Sequence, residues 1–141
     1  MTAKEYLLQY RRAEQEIDRL LEEKARWETL AEKVTPTPSK APGRPGSNDR
    51  VGMAVAKIID LEREIDTKVD RLVDFRREIE RAVSKMHGPK EREVLLRRYI
   101  HGQAWEEIAK EMGTTERHIY RVHETALFSL NVIECQYQPV I

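Results

Sequence analysis

The sequence has little cysteine, few aromatic residues and no long apolar run, and each scarcity excludes a class of protein. The single cysteine, Cys135, cannot form an internal disulfide. No apolar run approaches the roughly 18 residues that a membrane-spanning helix needs, and the first residues lack the apolar stretch of a signal peptide. We therefore expect a cytoplasmic protein that does not associate with a membrane.

Charged residues, by contrast, make up 35% of the chain, against 40% apolar and 6% aromatic residues. This composition is too polar for a large compact core and is typical of long, solvated helices. The 25 basic and 25 acidic residues cancel to a net charge of zero, and residues 87–141 carry seven Lys and Arg against eight Asp and Glu. The charge balance therefore gives no support of its own to nucleic-acid binding, for which a basic field is expected.

Two long amphipathic helices are predicted before residue 88. The first, about residues 3–33, starts at a capping box formed by Thr2 and Glu5, and its apolar positions follow the alternating spacing of a coiled-coil seam with Lys24 as the one break. The second covers about residues 49–86 and ends before Gly88 and Pro89. The two stripes are Tyr6, Tyr10, Ala13, Ile17, Leu20, Trp27, Ala31 and Val34, and Val51, Ala54, Ile58, Leu61, Ile65, Val69, Leu72, Phe75, Ile79, Val83 and Met86.

Between these helices, residues 35–50 contain four prolines and two glycines, which predict a linker without regular structure. Its length permits an antiparallel hairpin, a parallel return or exchange between two chains. We favour an antiparallel pair, with dimerisation through the same seams as the alternative. The predicted fold is all-α, a long N-terminal helical hairpin or coiled coil followed by a small C-terminal helix-turn-helix unit. The predicted divisions are 1–34, 35–50, 51–88 and 89–141.

The most informative segment is residues 91–130, in which the residue types of a helix-turn-helix recur at the required spacing from Trp105 onward. Ala109 lies where the two helices come closest, so that a larger side chain would separate them. Gly113 lies in the turn, where a positive φ favours glycine. The other matching positions, which would close a small core, are Ile108, Met112, Ile119 and Val122. The alternative reading is a generic helical hairpin.

This segment resembles region four of bacterial sigma factors and the related small phage regulators. The matching residues are 92–102, Glu107-Ile108-Ala109, and Ala126-Leu127 with Leu130. With its charged helices and Pro/Gly linker, the whole chain resembles the ArpU/RinA-like phage transcriptional regulators. It departs from the family at Ala104, where Ser or Thr usually caps a helix, and at Thr125, where a basic residue is common.

The resemblance implies a recognition helix at residues 115–127, beginning near Thr115. Arg117 and Arg121 lie one turn apart on its exposed face, and either could pair with guanine through two hydrogen bonds. Tyr120 could contact a thymine methyl group or a phosphate. The predicted DNA contacts are Thr115, Glu116, Arg117, His118, Tyr120 and Arg121, together with Arg97, Arg98 and Lys110. We expect the basic side chains to face DNA and acidic ones such as Glu93 and Glu111 to face away.

These patterns predict a sequence-specific DNA-binding transcriptional regulator, and the resemblance to the ArpU/RinA-like regulators implies that a phage or prophage encodes it. Its expected partners are double-stranded DNA, RNA polymerase and further copies of itself bound through the long helices. Two other readings are a small-terminase-like DNA-packaging adaptor and a polymerase- or sigma-binding protein that does not contact DNA. We expect no enzyme, cofactor or metal, because the sequence has no catalytic constellation or Gly-rich phosphate loop, and its four histidines lack metal-ligand spacing.

Overall fold

The computed structural model describes residues 2–34 and 47–134, and every regular element within these ranges is helical. Helix α1 covers Ala3–Val34 and α2 covers Ser47–Ser84. Helix α3, Pro89–Leu95, continues directly into a π-helical turn at Leu96–Ile100. Helices α4, Trp105–Glu111, and α5, Glu116–Glu134, complete the order and confirm the predicted all-α class. None of these helices is long and apolar enough to cross a membrane.

The residues at which both long helices begin follow from local chemistry. The Thr2 N–H donates to Glu5 Oε2 at 3.0 Å and the Glu5 N–H donates to Thr2 Oγ1 at 3.2 Å, which confirms the predicted capping box. Helix α2 begins at Ser47, so the predicted linker was four residues too long. The prolines and glycines end at Gly46, and Asp49 in the first turn favours a helix start. The rest of that linker and Cys135 lie outside the described residues.

The chain divides into two compact units, and α1 and α2 each contribute to both. One unit consists of Glu14–Arg71, which we call the helix-pair unit. The other combines Met1–Ala13 with Leu72–Ile141, and we call it the helix-turn-helix unit.

In the helix-pair unit the two long helices run antiparallel. Glu16 pairs with Lys68 at 2.7 Å and Lys24 pairs with Glu62 at 3.2 Å, so residue numbers fall along α2 as they rise along α1. This is the arrangement that we favoured over a parallel return. The buried residues of the pair are Ile17, Ala54, Leu61 and Ile65.

Two lysines take seam positions in this pair and explain where its apolar stripes deviate from the expected pattern. Lys24 is the predicted break in α1, and its hydrogen bond to Glu62 raises the pKa of its ammonium group. In α2 the prediction for Val69 was wrong, because Lys68 takes the seam position and leaves Val69 39% exposed. Lys68 lowers the pKa of Glu16 through a hydrogen bond. Both ion pairs lie at the surface, where such pairs contribute little to stability.

The helix-turn-helix unit has a core to which the first turns of α1 contribute four residues. Ala3, Tyr6, Leu7 and Tyr10 are each at most 3% exposed. They pack with Ile79, Val83, Met86, Leu95, Tyr99, Ile100, Ala126 and Leu130. The backbone N–H of Ala3 donates to Asn131 Oδ1 of α5 at 2.6 Å. Helices α3 and α5 and the π-helical turn therefore share one core with the beginning of α1 and the end of α2.

Leu7→Ala should lower the free energy of unfolding by about 2–5 kcal/mol, because truncation leaves a cavity at a fully buried site. Phe128→Ala is the control in the same unit, where Phe128 is 71% exposed. We expect that control to change stability by no more than about 0.5 kcal/mol. Urea denaturation followed by circular dichroism measures both, and equal losses would contradict this packing of α1.

Candidate nucleic-acid interface

A small second core holds α4 and α5 together. Its buried residues come from three helices: Val94 from α3, Ile108 and Ala109 from α4, and Ile119 and Val122 from α5. The partly buried side chains of Trp105 and Met112 pack against this cluster. Ala109 is 5% exposed and lies in this cluster, where α4 packs on α5. The predicted helix-turn-helix core is confirmed position by position.

The turn between these helices is a Schellman motif. Gly113 has φ 68°, the left-handed conformation in which only glycine is free of strain. The Thr114 N–H donates to the Ala109 carbonyl at 2.9 Å and the Gly113 N–H to the Lys110 carbonyl at 3.2 Å. These bonds satisfy carbonyls at the end of α4 and set the angle at which α5 departs.

The two helices begin differently. Thr115 Oγ1 accepts a hydrogen bond from the His118 N–H at 3.2 Å, so Thr115 caps α5 and the predicted start of this helix is correct. Ala104 has extended backbone and supplies no side-chain cap to α4, as expected from its departure from the family pattern. The end of α5 was predicted wrongly, since the helix continues past residue 127 to Glu134. Ala126 and Leu130, both fully buried, carry it onward.

The start of α5 presents most of the predicted DNA contacts to solvent. Arg117, His118 and Arg121 are exposed, and Tyr120 is 44% exposed, while Glu116 is half-buried. These side chains lie on one stretch of helix opposite Ile119 and Val122. Lys110 is exposed at the last turn of α4. The structure thus places six predicted residues together around the beginning of α5, with Thr115 as the cap.

Arg97 has intramolecular partners on three sides. Its guanidinium pairs with Glu93 at 2.9 Å and with Glu111, and it donates to Gln103 Oε1 at 3.3 Å. The expectation that Glu93 and Glu111 would face away from the basic side chains was wrong, because Arg97 draws both carboxylates toward it. Contact between Arg97 and DNA stays a prediction, and it would compete with these partners.

Arg98 is engaged in a different way. Its guanidinium lies 4.4 Å from the centre of the Trp105 ring and donates to the Gln103 carbonyl at 2.9 Å. Its own carbonyl accepts a hydrogen bond from Arg11 of α1 at 3.0 Å. Arg98 therefore joins α1, the π-helical turn and α4, and its predicted phosphate contact would likewise compete with existing partners.

His123, which sequence reasoning considered only as a metal ligand, is a buried member of an aromatic cluster. It is 8% exposed, and its Nε2 lies 2.7 Å from the Tyr99 hydroxyl. Its ring centre also lies 4.6 Å from that of Trp105, in a T-shaped arrangement. The sequence does contain a signal for the burial of His123, because this residue lies four positions after Ile119 and seven before Leu130, on the same face of α5 as these two buried residues. Within the described ranges no group of three or more potential ligands could hold a metal ion.

The environment of this cluster keeps both titratable groups neutral. Burial, together with the nearby charges of Lys4 and Arg98, lowers the pKa of His123 from its ordinary 6.5 to about 4. Burial raises the pKa of the Tyr99 hydroxyl. At neutral pH the imidazole is therefore uncharged and can share one proton with the tyrosine in a hydrogen bond.

A comparison with known families agrees with this geometry. Residues 76–121 match the family model of sigma-70, region 4. The matched segment covers about a third of the chain, from the end of α2 through α4 and the turn to Arg121. The resemblance of this segment to region 4 is thus confirmed. No significant match to the chain was found among the curated proteins or the solved structures.

Lowering the pH from about 6.5 to about 4 should destabilise the protein through His123, because the unfolded chain takes up a proton there that the folded chain excludes. The stabilisation is complete above pH 6.5 and is lost as the pH falls through about 4. His123→Gln cannot be protonated and should flatten this part of the pH dependence of the urea midpoint. His118→Gln, at an exposed site on the same helix, is the control. A His123→Gln variant with the parent's pH slope would contradict the assignment.

Proposed function

We propose that this chain is a sequence-specific DNA-binding transcriptional regulator of phage or prophage origin, acting in the cytoplasm by binding alone and without a cofactor. The observation that carries the proposal is the exposed start of α5, with Arg117, Tyr120 and Arg121, on a helix-turn-helix similar to sigma-70 region 4. The architecture of long charged helices before this unit supports the phage origin, through the resemblance to the ArpU/RinA-like regulators.

The proposed mechanism is direct reading of base edges in the major groove. Side chains at the beginning of a recognition helix reach those edges, while the preceding helix crosses the backbone. Arg117 and Arg121 each carry the planar fork that fits the two acceptors of guanine. Glu116 can accept from cytosine, and Lys110 can contact a phosphate.

Few cations are available for phosphate contacts, which bounds the affinity of one unit. Exposed basic residues on α3, α4 and the start of α5 are Lys90, Lys110, Arg117 and Arg121. If all four neutralised phosphates, the logarithmic salt dependence would have a slope no steeper than about −4. A lone unit therefore binds modestly, so the proposal includes either a dimer or RNA polymerase as a partner.

The helix-pair unit supports self-association as the first of these routes. Several large apolar side chains of this unit are exposed to solvent, and their burial against a second copy would be favourable. They are Leu21, Leu30, Met53, Val55, Ile59 and Val69. We propose a homo-oligomer through this unit. Sedimentation equilibrium of the full chain tests it, since a dimer fits a regulator and a ring of many subunits fits a packaging adaptor.

A second candidate function is binding to polymerase or a sigma factor without DNA contact. The observation that favours it is the neutral net charge together with the intramolecular partners of Arg97 and Arg98. Here the same exposed face of α5 would meet a protein. Unchanged mobility of every duplex tested, together with capture of purified polymerase, would favour this candidate.

Arg117→Ala and Arg121→Ala should each weaken binding to a preferred duplex by roughly 5- to 150-fold, because each removes a bidentate base contact of about 1–3 kcal/mol. The duplex is first selected by the parent protein from a random-sequence pool. Fluorescence anisotropy at two salt concentrations then compares it with a scrambled duplex. Lys110→Ala should weaken both duplexes alike and reduce the salt slope by about one.

Arg63→Ala is the matched control, an exposed arginine on α2 outside the matched segment. It should bind both duplexes as the parent does. If Arg117→Ala and Arg121→Ala also bind the selected duplex like the parent, with unchanged melting temperatures, α5 is not the reading helix. The protein-binding candidate would then replace the regulator.

A further inference from the structure

Trp105 lies at the junction between the two helices of the helix-turn-helix and contacts a side chain at the start of α5. It is the first residue of α4 and is half-buried against the small core. Its ring centre lies 5.1 Å from that of Tyr120, with the planes tilted by 52°. Tyr120 thus rests on a second aromatic ring while 44% of its surface stays exposed.

The Trp105 ring is itself fixed by two further partners. Arg98 lies over the ring at 4.4 Å, and His123 meets it edge-on at 4.6 Å. Both partners are anchored elsewhere, Arg98 to the Gln103 carbonyl and His123 to the Tyr99 hydroxyl. Tyr120 is therefore the outermost member of a connected aromatic cluster, not an isolated side chain that moves freely in solvent.

This support has two consequences for binding. A ring held in place before binding loses less side-chain entropy when it meets a ligand, so the contact gains affinity. The ring also presents an apolar surface on the same exposed stretch of helix as Arg117 and Arg121. The major groove offers one apolar feature that such a surface fits, the 5-methyl group of thymine.

We propose that Trp105 is a positioning residue that holds the Tyr120 ring against the methyl group of a thymine in the bound duplex. The inference rests on the proposed function and adds one base preference to it. It assigns Tyr120 to a base edge in place of a phosphate. It also gives Trp105 a role in specificity besides its contribution to the core.

Replacement of thymine by deoxyuridine tests this directly, because only the methyl group is removed. Single thymines in the selected duplex are replaced in turn. At one position the parent should lose about fourfold in affinity, the factor expected for one buried methyl group. Tyr120→Ala should bind the thymine and uracil duplexes equally. If no single replacement of thymine by deoxyuridine weakens binding of the parent, the proposal is overturned.

Trp105 is tested through the same ratio. Trp105→Leu keeps an apolar core residue but removes the ring, and it should lose the thymine preference. The ratio is the affinity for the thymine duplex divided by that for the uracil duplex, and in the double variant with Tyr120→Ala it should change no further. If Trp105 had a purely structural role, Trp105→Leu alone would weaken binding to both duplexes equally and would keep the parent's ratio. Trp105→Phe keeps an aromatic ring, so it should retain at least half of the parent's thymine preference, measured as the logarithm of the affinity ratio. Phe and Leu variants with equal ratios would overturn the proposal.

A second measurement stands if Trp105→Leu does not fold, as judged by its circular dichroism. With 5-bromouracil at the discriminating thymine, irradiation should cross-link the duplex to Tyr120 in the parent and to a smaller extent in Trp105→Phe. A cross-link at another residue, or equal yields in the two proteins, would overturn the inference. The regulator proposal fails separately, if no duplex is selected or if the Arg117→Ala and Arg121→Ala variants bind like the parent.

Discussion

The packing of the first turns of α1 among the C-terminal helices is the contact on which the rest of the helix-turn-helix unit depends. Helices α3 and α4 have seven residues each, a length at which a helix in water is marginal by itself. The small core between α4 and α5 contains five buried residues in the described ranges. A segment of that size buries too little apolar surface to fold well alone. The side chains of Tyr6, Leu7 and Tyr10 supply the missing surface.

This contact also explains why α5 can be both anchored and exposed. Its second half carries Ala126 and Leu130 into the larger core, and Asn131 accepts the hydrogen bond from the backbone of Ala3. Its first half packs on α3 and α4 through Ile119 and Val122, and on the π-helical turn through His123. The opposite face of that first half is left to solvent. A helix that is packed along one face and exposed on the other is a suitable platform for the groove reading proposed above.

The arrangement of charge follows from the same packing. Arg97 and Arg98 lie on the π-helical turn and bind groups of neighbouring segments. Arg97 pairs with carboxylates such as that of Glu93, and Arg98 binds the Gln103 carbonyl and lies over the Trp105 ring. Cations that hold the fold together in this way are not freely available to DNA. The proposed function therefore depends on the few basic residues that point to solvent. It also depends on specific contacts more than on a general attraction to phosphate, because the chain has no net charge.

Local patterns in the sequence were sufficient for the helices, the capping box, the turn glycine and the inward-facing residues of the helix-turn-helix. Each depends on neighbours within about four residues, or on periodicity, and both are visible in a single sequence. The same reasoning identified the exposed arginines of α5, since the positions of Ile119 and Val122 determine the opposite face. The resemblance of this segment to sigma region four rests on its matching residues, and the family comparison confirms it.

The tertiary structure alone decided the features that join distant parts of the chain. Nothing local to Arg97 shows that Glu111 will lie beside it, and nothing local to Arg98 shows that Trp105 will. Nothing local to Tyr6 shows that its ring will pack against Phe75 of α2. The exposure of Val69 was likewise decided by which residue of α2 faces α1. Periodicity tells which side of a helix is apolar. The identity of the partner, and thus whether a charged side chain is available or engaged, is fixed only when separate helices pack.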